Sequence, residues 1–336
     1  MQGLVTVFGG SGFVGSQVVR ALAKTGARVR VAARNPGRGY RLRMLGDVGQ
    51  IEIVQANIRD AASVERALEG AEACVNAVGV LFESGRQGFG ALHAAGAGLL
   101  ARSAVAAGAG RFVHISAIGA DANSAAAYAR SKAAGEAAVR EAAPFATILR
   151  PSVVFGADDQ FFNRFAAMAG LAPALPLIGG GGTRFQPVFV GNVALAVARA
   201  LDDPRAAGRT YELGGPGVYT FKALLEIMLA EIGKSRFLAP VPFPIAGLLG
   251  KAGDIVAMAG FPPPITSDQV EMLKVDNVVA PGALGLADLG VVAQALEPII
   301  GTYLYRYRKG GQYAELSAAA AAIPPRSAQA SGASPT

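Results

Sequence analysis

Apolar and polar positions divide the 336-residue chain into two parts with different patterns. In the first part, runs rich in Val, Ile and Phe alternate with Ala-rich stretches of helical periodicity. The strand-like runs are LVTVFGG, ARVRVAAR, QIEIVQANI, EACVNAVGV, RFVHISAIG and FATILRPSVVFG. This alternation predicts βαβ units and hence a Rossmann-type α/β fold, a doubly wound parallel sheet with its binding crevice at the carboxyl ends of the strands.

The pattern changes after Gly156, where proline and glycine become frequent and helical segments such as FFNRFAAMAG and TFKALLEIMLAEIG are separated by loops. We therefore expect a Rossmann domain over residues 1–155, with later strands from about 186–215. A smaller, mainly helical C-terminal lobe is expected over 156–316. The tail, 317–336, consists mostly of Ala, Ser and Pro with almost no charge, so it is expected to be disordered.

A glycine-rich turn follows the first strand-like run. The segment GGSGFVG lies between the strand LVTVF and the helix start SQVVRALAKTG. Glycines here allow a tight turn and a close approach of phosphates, which the N–H groups of a helix N-terminus can bind. A purely structural turn is the alternative. The combination of strand, turn and helix favours a dinucleotide site, formed by Gly9, Gly10, Ser11, Gly12, Phe13, Val14 and Gly15.

The residues after the second strand indicate which dinucleotide is bound. An NAD site usually has an acidic residue about 20 positions after the last glycine, whereas this chain has Arg34 there and Arg38 close behind. Because arginine binds phosphate through paired hydrogen bonds, NADP(H) is preferred over NAD(H). The alternative is a solvated basic face near anionic lipid. Other cofactor contacts are expected from Asn57, Ile58, Ala77, Val78, Gly79, Pro151 and Val153.

The motifs GGSGFVG, NAVG, YARSK and LRPSVVFG, with the HIS run that ends at Ser116, resemble the extended short-chain dehydrogenase/reductase superfamily over residues 1 to about 230. The resemblance implies that Tyr128 transfers a proton, that Lys132 lowers its pKa and holds the nicotinamide ribose, and that Ser116 orients the substrate. The superfamily usually has a relay asparagine at or near the position of His93. Since the Tyr-Lys pair also grips ribose, a protein that only holds a nucleotide has reason to contain it.

Four segments of the second part carry a more specific resemblance: RPSVVFGADDQFFNRFA, TRFQPVFVGNVALAV, YELGGPGVYTFKALLEIM and LADLGVVAQALEPIIGTYLYRYRKGGQY. They are similar to the nucleotide-binding accessory subunit of respiratory complex I and its alphaproteobacterial relatives. The resemblance implies tightly held NADPH, complex I subunits as partners and little or no catalysis, at the cytoplasmic face of a bacterial inner membrane. The alternative is a free NADP-dependent short-chain reductase or nucleotide-sugar epimerase that uses Ser116, Tyr128 and Lys132.

Charge and composition narrow these possibilities. The net charge of +7 is concentrated near the N-terminus, where eight Lys and Arg residues precede the first acidic residue, Asp47. This region has only one aromatic residue, Tyr40, among its arginines and is explained by dinucleotide phosphates, which argues against nucleic acid. No cleaved targeting peptide is expected, because removing one would destroy GGSGFVG. Cys74 is expected to be a buried thiol, and His93 and His114 are assigned to a helix and a strand, so no metal site is expected.

Two apolar segments stiffened by proline lie in the second part: FLAPVPFPIAGLLG, from Phe237 to Gly250, and VAMAGFPPPI. Neither is long enough to span a bilayer, which needs about 18 or more apolar residues. We expect an apolar surface that a partner subunit or the lipid boundary covers, which gives peripheral membrane contact. The alternative is that these segments close the core of the lobe or form a lipophilic pocket.

Overall fold

The computed structural model describes residues 3–261 and 263–313; the tail expected to be disordered, 317–336, lies outside them. The strands are β1 (Leu4–Phe8), β2 (Arg28–Ala33), β3 (Ile51–Gln55), β4 (Ala73–Asn76), β5 (Arg111–Ile115), β6 (Thr147–Pro151), β7 (Val154–Phe155), β8 (Ala174–Ile178), β9 (Arg184–Phe185), β10 (Val188–Phe189), β11 (Thr210–Leu213), β12 (Tyr219–Thr220) and β13 (Phe237–Val241). The α-helices are α1 (Phe13–Lys24), α2 (Ala61–Leu68), α3 (Gly96–Ala106), α4 (Ala127–Ala142), α5 (Phe162–Leu171), α6 (Val190–Asp202), α7 (Phe221–Glu231), α8 (Phe243–Met258), α9 (Ser267–Met272) and α10 (Glu297–Leu304).

Seven strands form one parallel sheet in the order β11-β6-β5-β4-β1-β2-β3. The chain moves outward from β1 to β3 and then returns to the other side of β1 to place β4. The strand order therefore reverses between β1 and β4, and in open α/β sheets ligands bind outside the carboxyl ends of the strands at such a point. The predicted Rossmann-type, doubly wound parallel sheet is confirmed.

Both faces of the sheet are covered by helices, which explains why its strands are almost continuously apolar. On one face, Val18 and Leu22 of α1 and Val197 of α6 pack against the sheet. On the other face the core includes Leu68 of α2 and Leu100 of α3. Fully burying each such side chain contributes about 1.5–3 kcal/mol to the hydrophobic driving force, so the sheet is a rigid support for the site at its edge.

The chain after β6 forms the smaller lobe, and two of its later elements, α6 and β11, belong to the Rossmann domain. Helix α6 packs against α1, and β11 extends the sheet beside β6. The lobe has its own aromatic core around Phe155, Phe162 and Phe221. It also contains three short two-stranded ladders, β7 with β10, β8 with β13, and β9 with β12, alongside its helices.

Helix α8 buries its small residues and exposes its large ones. Ala246, Gly250, Gly253 and Ala257 face the lobe. The outer side, which we name the α8 face, consists of Ile245, Leu248, Leu249, Ile255, Val256 and Met258, whose exposed fractions range from 38% to 81%. These side chains therefore do not close the core of the lobe. Among the described residues, no helix combines the length and apolar character needed to cross a membrane.

Candidate functional site

The glycine-rich turn joins β1 to α1 at the point where the strand order reverses. Gly9 has a φ of 78°, and a Cβ there would lie 2.7 Å from the carbonyl oxygen of Ala77. A Cβ on Gly15 would overlap the carbonyl oxygen of Gly9. Gly12 precedes α1 and provides no side-chain cap, so the N–H groups of the first turn are left for a ligand. The same turn contains Gly10, Ser11, Phe13 and Val14.

Both candidate arginines lie at the rim of this crevice. Arg34 directly follows β2 and is exposed, and its Nη1 donates a hydrogen bond of 2.6 Å to Oε1 of Gln87. Arg38 is exposed in a 3-10 turn, Pro36–Arg38. No carboxylate occurs in the sequence between Arg34 and Asp47. The rim beside β2 is therefore positively charged, with no acidic side chain from this segment to accept from a ribose hydroxyl.

The residues after β3 and β4 differ in how much they can offer a ligand. Ile58 is 4% exposed and belongs to the core beneath α3. Asn57 is half-buried, and its Oδ1 accepts from the backbone N–H of Arg59 at 3.2 Å. Beyond β4, Ala77 and Val78 are half-buried and Gly79 is exposed. Asn57 and the backbone of 77–79 are thus accessible from the crevice side, whereas Ile58 supports them from below.

Two predicted contact residues lie at the end of β6, Pro151 as its last residue and Val153 just beyond it. Pro151 is buried, and its carbonyl oxygen accepts from the N–H of Ile118 at 3.0 Å. Val153 is half-buried, and its N–H donates to Oδ1 of Asn277 at 3.1 Å. The loop after β6 is therefore fastened on one side to the loop after β5 and on the other to the smaller lobe.

The Tyr-Lys pair projects from the first turns of α4. Lys132 is 5% exposed, and its Nζ donates to the carbonyl oxygen of Ile115 at 3.2 Å and would lie 3.5 Å from a Cβ on Gly79. Burial lowers the pKa of Lys132 to about 8, although the charge of Glu136 opposes this. Burial raises the pKa of Tyr128 to about 12, and the charge of Asp268 acts in the same direction.

Ser116 lies beside a buried ion-pair cluster. Its hydroxyl is buried and makes no hydrogen bond of good geometry, although it lies close enough to the carboxylate of Glu136 to help lower its pKa. Arg150 binds that carboxylate through two hydrogen bonds of 2.8 Å, and Arg140 adds one of 3.0 Å. Burial acts to raise the pKa of Glu136, but these hydrogen bonds and charges outweigh it and hold the pKa below its usual value.

His93 connects the loop after β4 to α4. It lies in a π-helical turn, Gly90–Ala95, and its Nε2 accepts from the N–H of Val80 at 3.1 Å. Its Nδ1 must then carry the proton, which it donates to Oγ of Ser131 at 2.9 Å, and that hydroxyl donates to the carbonyl oxygen of Tyr128. Burial, reinforced by nearby positive charges, lowers the pKa of His93 to about 3. His93 is therefore a neutral, fully engaged structural link.

Two residues of the smaller lobe that the sequence did not indicate reach the Rossmann domain. The carboxylate of Asp268 accepts hydrogen bonds from the first two N–H groups of α4. Asn277 accepts from Oγ of Ser152 at 2.7 Å and from the N–H of Val153. Their sequence separations from these partners exceed 100 residues, and neither lies in a recognisable motif. Only the folded chain brings them to the site.

These features suit a dinucleotide, whereas burial raises the pKa of the candidate acid, Tyr128. The glycine-rich turn, the unoccupied N–H groups of α1 and the arginine rim suit phosphates. A tyrosine acid is effective when its pKa lies near the working pH, whereas the pKa of Tyr128 is raised. The hydroxyl of the candidate orienting group, Ser116, is buried without a hydrogen-bond partner of good geometry among the described residues.

Comparison with known proteins agrees with this geometry. Residues 5–214 match the model of the NAD dependent epimerase/dehydratase family. The fold is similar to that of an NADPH-dependent quinone oxidoreductase from Escherichia coli, solved with NADPH, with a TM-score of 0.69, 20% identity and coverage of 89% of this chain and 98% of the other.

Two mitochondrial relatives match across both lobes. The chain is 37% identical over 316 residues to NADH dehydrogenase [ubiquinone] 1 alpha subcomplex subunit 9 of Arabidopsis thaliana, covering 92% of this chain and 79% of the relative. The subunit of the same name from Mus musculus is 32% identical, with 88% of this chain and 78% of the relative covered. The chain therefore belongs to the NAD dependent epimerase/dehydratase family and to the family of alpha subcomplex subunit 9.

Proposed function

We propose that this chain is an accessory subunit of respiratory complex I that holds NADPH as a structural ligand. The observation that carries the proposal is the similarity to alpha subcomplex subunit 9, because it spans the smaller lobe as well as the Rossmann domain. A Rossmann domain alone supports many activities. The similarity to the subunit continues beyond residues 5–214, which match the family model, into the smaller lobe.

The state of the Tyr-Lys pair supports a binding role. In a working dehydrogenase the lysine lowers the pKa of the tyrosine, whereas here burial and Asp268 raise the pKa of Tyr128 to about 12. Lys132 still lies beside Gly79, where it can hydrogen-bond a ribose. The pair thus retains its grip on the cofactor without a tuned acid. This favours the accessory subunit over the free reductase or epimerase.

The choice of NADPH rests on the arginine rim. Arg34 and Arg38 occupy the region where NAD-binding chains present a carboxylate. A 2′-phosphate there would gain charge-assisted hydrogen bonds, whereas the 2′-hydroxyl of NADH would find no acidic acceptor in this segment. Arg34 is exposed and held only by Gln87 among the contacts described, so it can turn toward a phosphate with little rearrangement.

The α8 face supports a peripheral position at the membrane. Its six exposed apolar side chains lie on the same helix as the exposed cation Lys251. The only acidic residue of α8, Asp254, points inward to Ser267. An apolar face with a positive charge and no outward negative charge suits an anionic lipid surface. We therefore propose a position at the cytoplasmic face of the bacterial inner membrane, the counterpart of the mitochondrial matrix side, in contact with complex I subunits.

The proposal is tested by replacing the chromosomal gene with Arg34→Glu and resolving the membranes on native gels. The yield of assembled complex I should fall, while NADH oxidation per assembled complex stays unchanged, because the nucleotide supports structure and not electron transfer. Arg20→Glu, at an exposed position on the later part of α1, is the matched control and should assemble normally. Normal assembly of an Arg34→Glu complex that has lost NADPH would contradict the proposal.

A further inference from the structure

Helix α4 begins without a cap of its own. Its N-cap residue is Ala126, whose methyl group cannot accept a hydrogen bond. The missing acceptor comes from the smaller lobe, where Oδ1 of Asp268 accepts from the N–H of Ala127 and Oδ2 accepts from the N–H of Tyr128 at 3.0 Å. A carboxylate at this position both satisfies free N–H groups and complements the positive end of the helix.

The first turn of α4, which Asp268 caps, positions the two side chains that are proposed to bind the cofactor. Tyr128 is itself one of the two donors to the Asp268 carboxylate, and Lys132 follows one turn later. Lys132 is positioned by α4 against the ends of β4 and β5, through Gly79 and Ile115. The position of the first turn of α4 therefore sets the position of both side chains.

The residue that precedes Asp268 is hydrogen-bonded to α8. The residue before it, Ser267, donates through its N–H and its hydroxyl to the carboxylate of Asp254 in α8. The helix also approaches this segment very closely, since a Cβ on Gly253 would overlap the carbonyl oxygen of Ile265. Gly253 allows that contact, so α8 packs directly against the 265–268 segment.

The unit formed by α8 and α9 has little core of its own. Its buried cluster consists of Ile178, Ala246 and Val270, with partly buried neighbours. Segments with few buried apolar contacts lie at the low end of local stability. Two hydrogen bonds to a helix end are thus a substantial part of what fixes this unit against the Rossmann domain.

We infer that Asp268 is a positioning residue that couples the nucleotide site to the α8 face. A nucleotide that holds Tyr128 and Lys132 in place fixes the first turn of α4. Because that turn is hydrogen-bonded to Asp268, the position of Asp268 and of the helices α9 and α8 is fixed as well. Linkage makes the coupling reciprocal, so a docked α8 face strengthens nucleotide binding. This inference rests on the proposed function and explains what the structural nucleotide does, since it orders the surface through which the subunit docks.

The test is hydrogen exchange of the purified full chain with and without NADPH, read by mass spectrometry over residues 243–272. NADPH should slow exchange there in the wild type. In Asp268→Ala this slowing should disappear. The dissociation constant of NADPH should rise about fivefold, because the stabilisation that a helix cap typically provides would no longer be coupled to the nucleotide. Asp268→Asn keeps the shape and one acceptor oxygen, so it should restore part of the slowing.

Asp276→Ala is the matched control. Asp276 also accepts a backbone N–H, from Arg184 at 2.8 Å, but it binds neither α4 nor α8, so its removal should leave the effect of NADPH intact. Equal slowing in Asp268→Ala and wild type would overturn the inference. So would NADPH binding to the wild type with no change over 243–272, and in that case the proposed function would stand. Failure of the wild type to bind NADPH would overturn both.

Discussion

The Nζ atom of Lys132 lies 5.7 Å from the centre of the Tyr128 ring, and it donates to the backbone of β5 and not to the tyrosine hydroxyl among the hydrogen bonds described. The two side chains share a helix face and lie within cation–π range of each other. We propose that Lys132 is the member that binds the nucleotide.

Separate replacement of Lys132 and Tyr128 distinguishes nucleotide binding from proton transfer. Lys132→Ala should weaken NADPH binding about tenfold or more, since it removes a charged hydrogen-bond donor. Tyr128→Phe should change the affinity by no more than about threefold, because only a neutral hydroxyl is lost. Fluorescence titration of NADPH measures both. An intact affinity in Lys132→Ala would show that the lysine does not reach the ribose.

Arg34 should decide between the two nicotinamide nucleotides. Arg34→Ala should weaken NADPH binding about tenfold or more, because a charge-assisted contact to the 2′-phosphate is lost, and leave NADH binding nearly unchanged. Arg20→Ala serves as the control and should affect neither. Isothermal titration with both nucleotides provides the measurement. Equal losses of affinity for NADPH and NADH would mean that Arg34 supports the fold of the rim and does not recognise the 2′-phosphate.

The Glu136 cluster should govern acid stability. Glu136→Gln removes the buried carboxylate that Arg140 and the half-buried Arg150 share and leaves Arg150 only the more distant Glu212, at 3.5 Å. It should lower the free energy of unfolding by about 2 kcal/mol at neutral pH. The pKa of Glu136 is lower in the folded protein, so the ionised carboxylate stabilises the fold above the unfolded pKa of ~4.3. That stabilisation is lost as the pH falls through the folded pKa, and the difference between the two proteins should shrink there.

Urea unfolding across the pH range measures this difference. Glu141→Gln, at an exposed position of the same helix, is the matched control and should unfold like the wild type throughout. A constant difference between Glu136→Gln and wild type down to strongly acidic pH would contradict the assignment of the stabilising charge to Glu136.

The α8 face should provide membrane affinity. Leu248→Glu places a charge where a 70% exposed leucine stands, so it should greatly reduce sedimentation of the protein with anionic liposomes. Val48→Glu makes the same kind of change at a fully exposed valine in the Rossmann domain and should leave sedimentation unchanged. Equal effects of the two variants would indicate a general charge effect and not a docking face.

The sequence was most informative where the physics is local. The alternation of strands and helices, and a turn in which only glycine fits at position 15 because a Cβ would overlap a carbonyl oxygen, are visible in the residue types themselves. The exposed α8 segment was also recognisable as an apolar run, but its orientation was not. Its small residues face inward because α8 approaches Ile265 closely, which a hydrophobicity pattern does not predict.

The sequence was least informative about contacts between distant residues. Asp268 and Tyr128 are 140 positions apart, and a lone aspartate at the start of a short helix indicates only a cap of that helix. The neutral His93 was predicted as a helix residue, but its bonds to Val80 and Ser131 depend on the packing of three elements. Such contacts set the pKa values at the site, so the raised pKa of Tyr128 could not be predicted from YARSK.

Co-purification from native membranes is the most direct test of a structural NADPH in an accessory subunit. The chain would be tagged at its C-terminus at the chromosomal locus, the membranes solubilised in mild detergent, and the co-purifying proteins and nucleotide identified by mass spectrometry. We expect a large assembly that contains NADH:quinone oxidoreductase subunits together with NADPH in about equal amount to the tagged chain. Recovery of a small species without those subunits would contradict the accessory role.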